Sequence, residues 1–272
     1  MTYALSQPKP AFRRAKHFGE ELLAAGDRIV AAGVVPVLEP YWPIFPTAYG
    51  WWRFINHSAR LLWQATNAGF SAEVTALTRN ITDHTYSLAW LADVGEPGLA
   101  ALEGAQYYAQ SKIYEEAKEA DWPLPDDAEL RAAPQEPADP VEARRHRAIM
   151  GEISHFGNLA KAFSPDEGPG NSLYVVYRHL SDYTHAGPAT AGRYAEPAGD
   201  GLFRLTDRAV PPGPADAIWT TVCLIQAGHI FSPMLTGDPL RDLLEKAAND
   251  MGLGTPERIA PRRKVKDGKQ KA

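Results

Sequence analysis

The chain contains one cysteine, Cys223, which excludes an internal disulfide and any zinc site built on several thiolates. It lies in Trp219-Thr-Thr-Val-Cys-Leu-Ile225, an apolar helical context where an inert core thiol is expected rather than a nucleophile. No apolar run approaches the roughly 18–20 residues that a bilayer span needs, so no membrane partner is expected. Met1 to Pro10 lacks the apolar segment of a secretory signal, and the expected compartment is the cytoplasm. Excess positive charge is missing too. A net charge of −5 and a pI near 5.9 exclude a body that binds nucleic acid over its whole surface. Glycine-rich phosphate loops, the His-Glu-x-x-His zinc motif and the nucleophile elbow are all absent. The eight histidines are scattered without a pair at convincing ligand spacing, so neither a metal nor a cofactor is expected. Strand-like alternation is nearly lacking, and no repeat of about 20–50 residues is visible.

What the sequence has in abundance is helical periodicity. Apolar residues at three- and four-residue steps predict helices over Phe12–Gly33, Trp51–Gly69, Ser71–Val94, Glu96–Ala120, Val141–Ala162, Asn171–His185, Ala217–Thr236 and Pro239–Met251. Ser71 and Asn171 are suitable N-caps, and Pro97 suits a first helical turn. Val34–Gly50, with four prolines among aromatics, reads as an extended connector. Two stretches read as loop inserts. Residues 122–140 hold five prolines and many acids, and residues 186–216 hold five glycines and five prolines, with Leu202–Leu205 at most a strand of a minor hairpin. The tryptophans of the second helix, Trp51, Trp52 and Trp63, are expected to fill the core rather than stack a ligand. Hydrophobic content of 44% is ample for that core. The reading is an all-α bundle of about eight helices, a single domain over residues 1–256, followed by a disordered basic tail over 257–272.

Chemistry-bearing side chains gather in one stretch, Tyr174 to Gly187. At about 100° per residue, Arg178, Ser181, Asp182 and His185 share one helix face, while Leu173, Val176, Leu180 and Tyr183 project from the other. Arg178 and His185 then stand about 10 Å apart along the axis, a distance one phosphate could bridge. An earlier Arg…His pair, Arg79-Asn-Ile-Thr-Asp-His84, is five residues apart and so about 140° around an unbroken helix. Arg79 and His84 could act together only if that helix breaks between them.

Both stretches fit the pattern Arg, four to six residues, His. It resembles the signature of HEPN domains, helical bundles whose Arg and His residues often form a metal-independent endoribonuclease site, commonly composite between two paired domains. The resemblance implies RNA as substrate or ligand, a homodimer as assembly, and a defence or toxin–antitoxin setting. It makes Arg178 and His185 catalytic, with Ser181 and Asp182 beside them. Arg79, Asp83, His84 and Tyr177 are secondary candidates. The chemistry is intelligible: RNA carries its own 2′-OH nucleophile, a histidine near neutrality can move its proton, and an arginine can stabilise the charge developing on phosphate. More narrowly, Tyr177-x-x-x-Ser181-x-x-x-His185, behind an upstream helix from Arg79 to Leu91, is similar to a bacterial helical family known only as a domain of unknown function. That likeness spans Ser71 to Gly187. Asp83 stands where the family typically has Glu.

A structural reading of the same stripe stays open beside this one. Arg178 and Asp182 are i,i+4 and Asp182 and His185 i,i+3, so a polar network that only stiffens the helix would use the same residues. The protein would then be a non-catalytic helical interaction protein. The tail is likewise open to two readings. Arg262, Arg263, Lys264 and Lys266 could grip nucleic-acid phosphates, or the seven basic residues of 257–272 could simply solubilise a terminus.

Overall fold

The computed structural model describes residues 8–70, 73–123, 133–164, 172–187, 190, 194–206 and 215–264. It is an all-α fold with one small hairpin. In chain order the helices are α1 (Pro8–Ala31), α2 (Phe45–Asn67), α3 (Thr75–Val94), α4 (Glu96–Glu119), α5 (Pro140–Ile153), α6 (Phe156–Phe163) and α7 (Ser172–Asp182). Strands β1 (Ala195–Gly199) and β2 (Leu202–Leu205) precede α8 (Ala215–Phe231), α9 (Arg241–Asp250) and the single turn α10 (Pro256–Ile259). Short 3-10 turns lie at Glu39–Tyr41 and Ser232–Met234. Among the described residues, no helix is long and apolar enough to cross a membrane.

The axis of the bundle is α8. Ala217, Ile218, Val222, Leu224, Ile225 and Phe231 are all buried, and α1, α2 and α3 pack around it. Gly228 lets α9 approach, because a Cβ there would stand 2.5 Å from Leu244 Cδ2. Trp52 and Trp63 fill the core as expected, and Trp51 is half-buried. The ring of Phe231 stacks on Trp52 with centroids 4.3 Å apart. Between α3 and α8 the core turns polar. Thr75, Thr78, Thr82 and Thr85 form a buried ladder on α3; Thr82 accepts the Trp219 indole N–H at 2.9 Å, and Thr75 donates to Asp216 at 2.7 Å. Cys223 is fully buried against this ladder, and burial pushes its thiol up to about 12, which leaves it without a thiolate at neutral pH.

Four boundaries differ from the sequence reading. The connector after α1 becomes helical at Phe45, since Pro46 occupies a first-turn position where no N–H is needed. The expected helix over Val141–Ala162 breaks at Ser154–His155. There His155 is extended (φ −157°, ψ 135°) and its Nδ1 accepts the Gly157 N–H at 2.9 Å, capping a new helix. The tail is not disordered from residue 257: α10 and the chain up to Lys264 are seated on the bundle. Finally, α7 stops at Asp182, short of His185. The expected caps Ser71 and Asn171 lie outside the described residues.

The hairpin pairs Ala195 with Leu205, Glu196 with Arg204 and Pro197 with Phe203. Residues opposite one another share a face, so Ala195, Pro197, Phe203 and Leu205 make one apolar side, on which Phe203 and Leu205 are exposed. Glu196 and Arg204 approach to 3.9 Å on the other. At its base, the Tyr194 hydroxyl hydrogen-bonds Glu73, just before α3.

Candidate functional site

The two motifs, about a hundred residues apart in sequence, meet through Arg79. From α3 its Nη2 donates to the Tyr177 hydroxyl at 2.7 Å and its Nη1 to Thr184 Oγ1 at 3.2 Å. The guanidinium carbon also lies 4.9 Å from the Tyr177 ring centroid, so one side chain holds both the hydroxyl and the π-face. The Tyr177 ring is also stacked on Phe156, with centroids 3.9 Å apart and an interplanar angle of 13°. Tyr177 is thus clamped between α3 and α6.

Hydroxyls also decide where α7 ends. Ser181 Oγ donates back to the Tyr177 carbonyl at 2.8 Å, and Thr184 Oγ1 donates to the Ser181 carbonyl at 2.8 Å while it accepts from Arg79. Such bonds compete with the helical ladder and close the last turn early. His185 therefore lies beyond the helix, and the expected single stripe from Arg178 to His185 is not formed. Arg178 and Asp182 stay on α7, both exposed, and His185 is exposed after it. Among the described residues, none of these three makes a hydrogen bond or ion pair, so the intrahelical Arg178–Asp182 bridge of the structural reading does not form. The structural network that does exist is Arg79–Tyr177–Thr184.

The remaining members of the first motif separate. α3 is unbroken, and His84 turns away toward α2: its Nδ1 lies 2.8 Å from the Asn80 carbonyl and its ring stacks on Phe54 at 4.1 Å. Asp83 is half-buried and, among the described residues, hydrogen-bonds to nothing. Burial raises its carboxyl above the ordinary 3.8, against the opposing pull of His84 and Arg79. A raised carboxyl means that the folded state holds the proton more tightly than the unfolded one. Stability from this group is therefore present at acid pH and lost as pH rises through the folded value. Asp83→Asn is expected to stabilise the protein by about 1 kcal/mol at pH 7, the scale of relieving one poorly compensated polar burial. The gain should vanish near pH 3 in urea titrations; a variant less stable than wild type at pH 7 would contradict this.

The basic residues of the tail are committed elsewhere. Arg262 Nη1 donates to Asp93 at 3.0 Å, and Arg263 grips Glu152 with Nε at 2.7 Å and Nη2 at 2.9 Å. Composition alone reveals the cations of this segment but not the two carboxylates that await them on α3 and α5. A phosphate would have to displace those carboxylates. The Lys264 side chain is exposed, and Lys266 lies outside the described residues.

Sequence reasoning missed two members of the site, Thr184 and Phe156. Thr184 is next to His185, within the stretch singled out; nothing in the sequence points to Phe156. No group of three or more His, Cys, Asp or Glu side chains among the described residues could hold a metal ion. No family model, no curated protein and no solved structure matches the chain.

Proposed function

We propose that this is a HEPN-like helical protein that binds RNA and cleaves it without a metal, in a setting such as a defence or toxin–antitoxin system. The observation that carries this reading is the Arg79 bridge to Tyr177 and Thr184, which brings the arginine of the first motif onto the second, where Arg178 and His185 are exposed. In the reaction, His185 takes the proton of the 2′-OH, and the 2′-oxygen attacks the adjacent phosphorus. The bond from phosphorus to the 5′-oxygen breaks, the 5′-oxygen takes a proton from water, and a 2′,3′-cyclic phosphate remains. Arg178 neutralises the charge that builds on the non-bridging oxygens. Arg79 positions this end of α7 rather than touching RNA.

The test is incubation of the purified chain with end-labelled single-stranded RNA in excess EDTA. Cleavage with cyclic-phosphate ends is expected, reduced about 100-fold in His185→Ala, the scale of a lost general base. Intact RNA with wild type, or equal cleavage by the variant, would end the proposal. The exposed apolar side of the hairpin favours a second reading, a non-catalytic interaction protein. Under that reading RNA stays intact and a Phe203→Glu change abolishes partner capture.

A further inference from the structure

The C-terminal segment and the candidate site are mechanically connected. The segment after Gly254 is mostly polar and basic, and its apolar seating is confined to Ile259, packed on the core, and the buried Pro261. Polar contacts to side chains of the bundle hold it at three further places. Gln226 Nε2 of α8 donates to the Arg258 carbonyl at 2.9 Å, Asp93 takes both Arg262 Nη1 and the Arg263 backbone N–H, and Glu152 takes the Arg263 fork. The last of these is the most enclosed. Arg263 and Glu152 keep 19% and 26% of their side-chain exposure, and Glu152 accepts the Trp90 indole N–H at 3.0 Å as well. The chain then runs past α6, where the Lys264 N–H donates to the Ala162 carbonyl at 2.8 Å. That carbonyl is in the last turn of α6, one of the groups a helix cannot satisfy internally.

At eight residues, α6 is far too short to stand alone. Its C-terminal end is tied to this segment, and its N-terminal residue Phe156 is the ring stacked on Tyr177. We propose that Pro256–Lys264 is a strap that holds α6, and through it Tyr177 and the end of α7, against α3, with Glu152–Arg263 as its clasp. Because ion pairs close the strap beyond Pro261, and only Ile259 and Pro261 add apolar burial, the strap opens before the core around α8 does. A cavity of about 40 Å³ is lined by Asp93, His229, Pro261 and Arg262. Opening releases α6 and α7 together and disperses the Arg79–Tyr177 contact. The C-terminus thereby controls the candidate site without touching it.

Hydrogen exchange read by mass spectrometry on the full chain tests this independently of any RNA activity. With Arg263→Gln, which removes the bidentate fork, amides of α6 and α7 are expected to exchange at least about tenfold faster while those of α8 stay unchanged. Unchanged protection in α6 and α7 would overturn the strap. So would an equal rise in α8, since the molecule would then open as a single unit. If the variant does not fold, wild type at about 0.05 M and 1 M NaCl gives the same comparison, because salt weakens ion pairs and leaves apolar packing closed. Absence of any differential between α7 and α8 under salt would equally overturn it.

Discussion

Replacing Arg79 by alanine is expected to cost about 3 kcal/mol of stability and lower the thermal midpoint by roughly 6–10 °C. The guanidinium makes two hydrogen bonds to different residues of the α7 region and covers the Tyr177 ring, so truncation removes three contacts at once. It also leaves the Tyr177 hydroxyl without its donor and removes one of the two charges, after that of His84, that lower the Asp83 carboxyl. Two further variants apportion the loss. Tyr177→Phe keeps the ring under the guanidinium and should cost only about 1 kcal/mol, one net hydrogen bond. Arg79→Lys keeps the charge but not the planar fork and should recover less than half of the deficit. The double variant Arg79→Ala/Tyr177→Phe should be no worse than Arg79→Ala alone, the mark of residues that act as one unit. Full additivity in urea unfolding, or a single-variant loss below about 0.5 kcal/mol, would show that the bridge is incidental.

The second large effect is expected at Phe231, where alanine should cost about 4 kcal/mol. Phe231 has no exposed surface, and it closes α8 against three aromatic rings of α2. Trp52 is stacked at 4.3 Å, Phe45 lies at 5.8 Å and Tyr49 at 6.2 Å. Rings packed on this scale cannot collapse into the space left by another, so a cavity adds to the lost transfer energy. Leucine should restore about half, by filling volume without the stacked geometry. Guanidinium titration with an unchanged slope is the measurement, and a loss under about 1.5 kcal/mol would mean that α2 and α8 close up around the missing ring.

What was legible in the sequence follows from how local each cause is. The apolar stripes of α1, α2, α3 and α8 are properties of consecutive turns, and so is the Gly95–Glu96–Pro97 punctuation between α3 and α4, where Gly95 adopts φ 73°. The break at His155 hinges on whether a ring nitrogen swings back onto the Gly157 N–H, and Val141–Ala162 scans as one helix whichever way it turns. The proline-rich run that ends at Pro46 shows the opposite error. Proline there opens a helix rather than excluding one. For the site, spacing correctly separated Arg79 from His84, because both lie on one unbroken helix. It misplaced His185, because hydroxyl groups at Ser181 and Thr184 end α7 three residues earlier than apolar periodicity suggests. The partner that Arg79 does find lies 98 positions away, and no spacing rule carries information over that distance. The same limit hid Asp93 and Glu152 from any reading of the basic segment.

The central position of α8 also has a consequence for how the chain comes to be folded. Ribosomes deliver α1, α2 and α3 first, whereas the helix they enclose begins only at Ala215. The hydroxyl of Thr221 donates to the carbonyl of Ala15, a contact closed across 206 positions. Until α8 emerges, the surfaces of α1, α2 and α3 that pack on it have nothing to cover them, although α2 and α3 already meet. The nascent polypeptide must then keep that apolar surface from aggregating while residues 95–231 are made, at about 5–20 residues per second. Completion is therefore a late, cooperative event, set by the arrival of the one helix around which the others close.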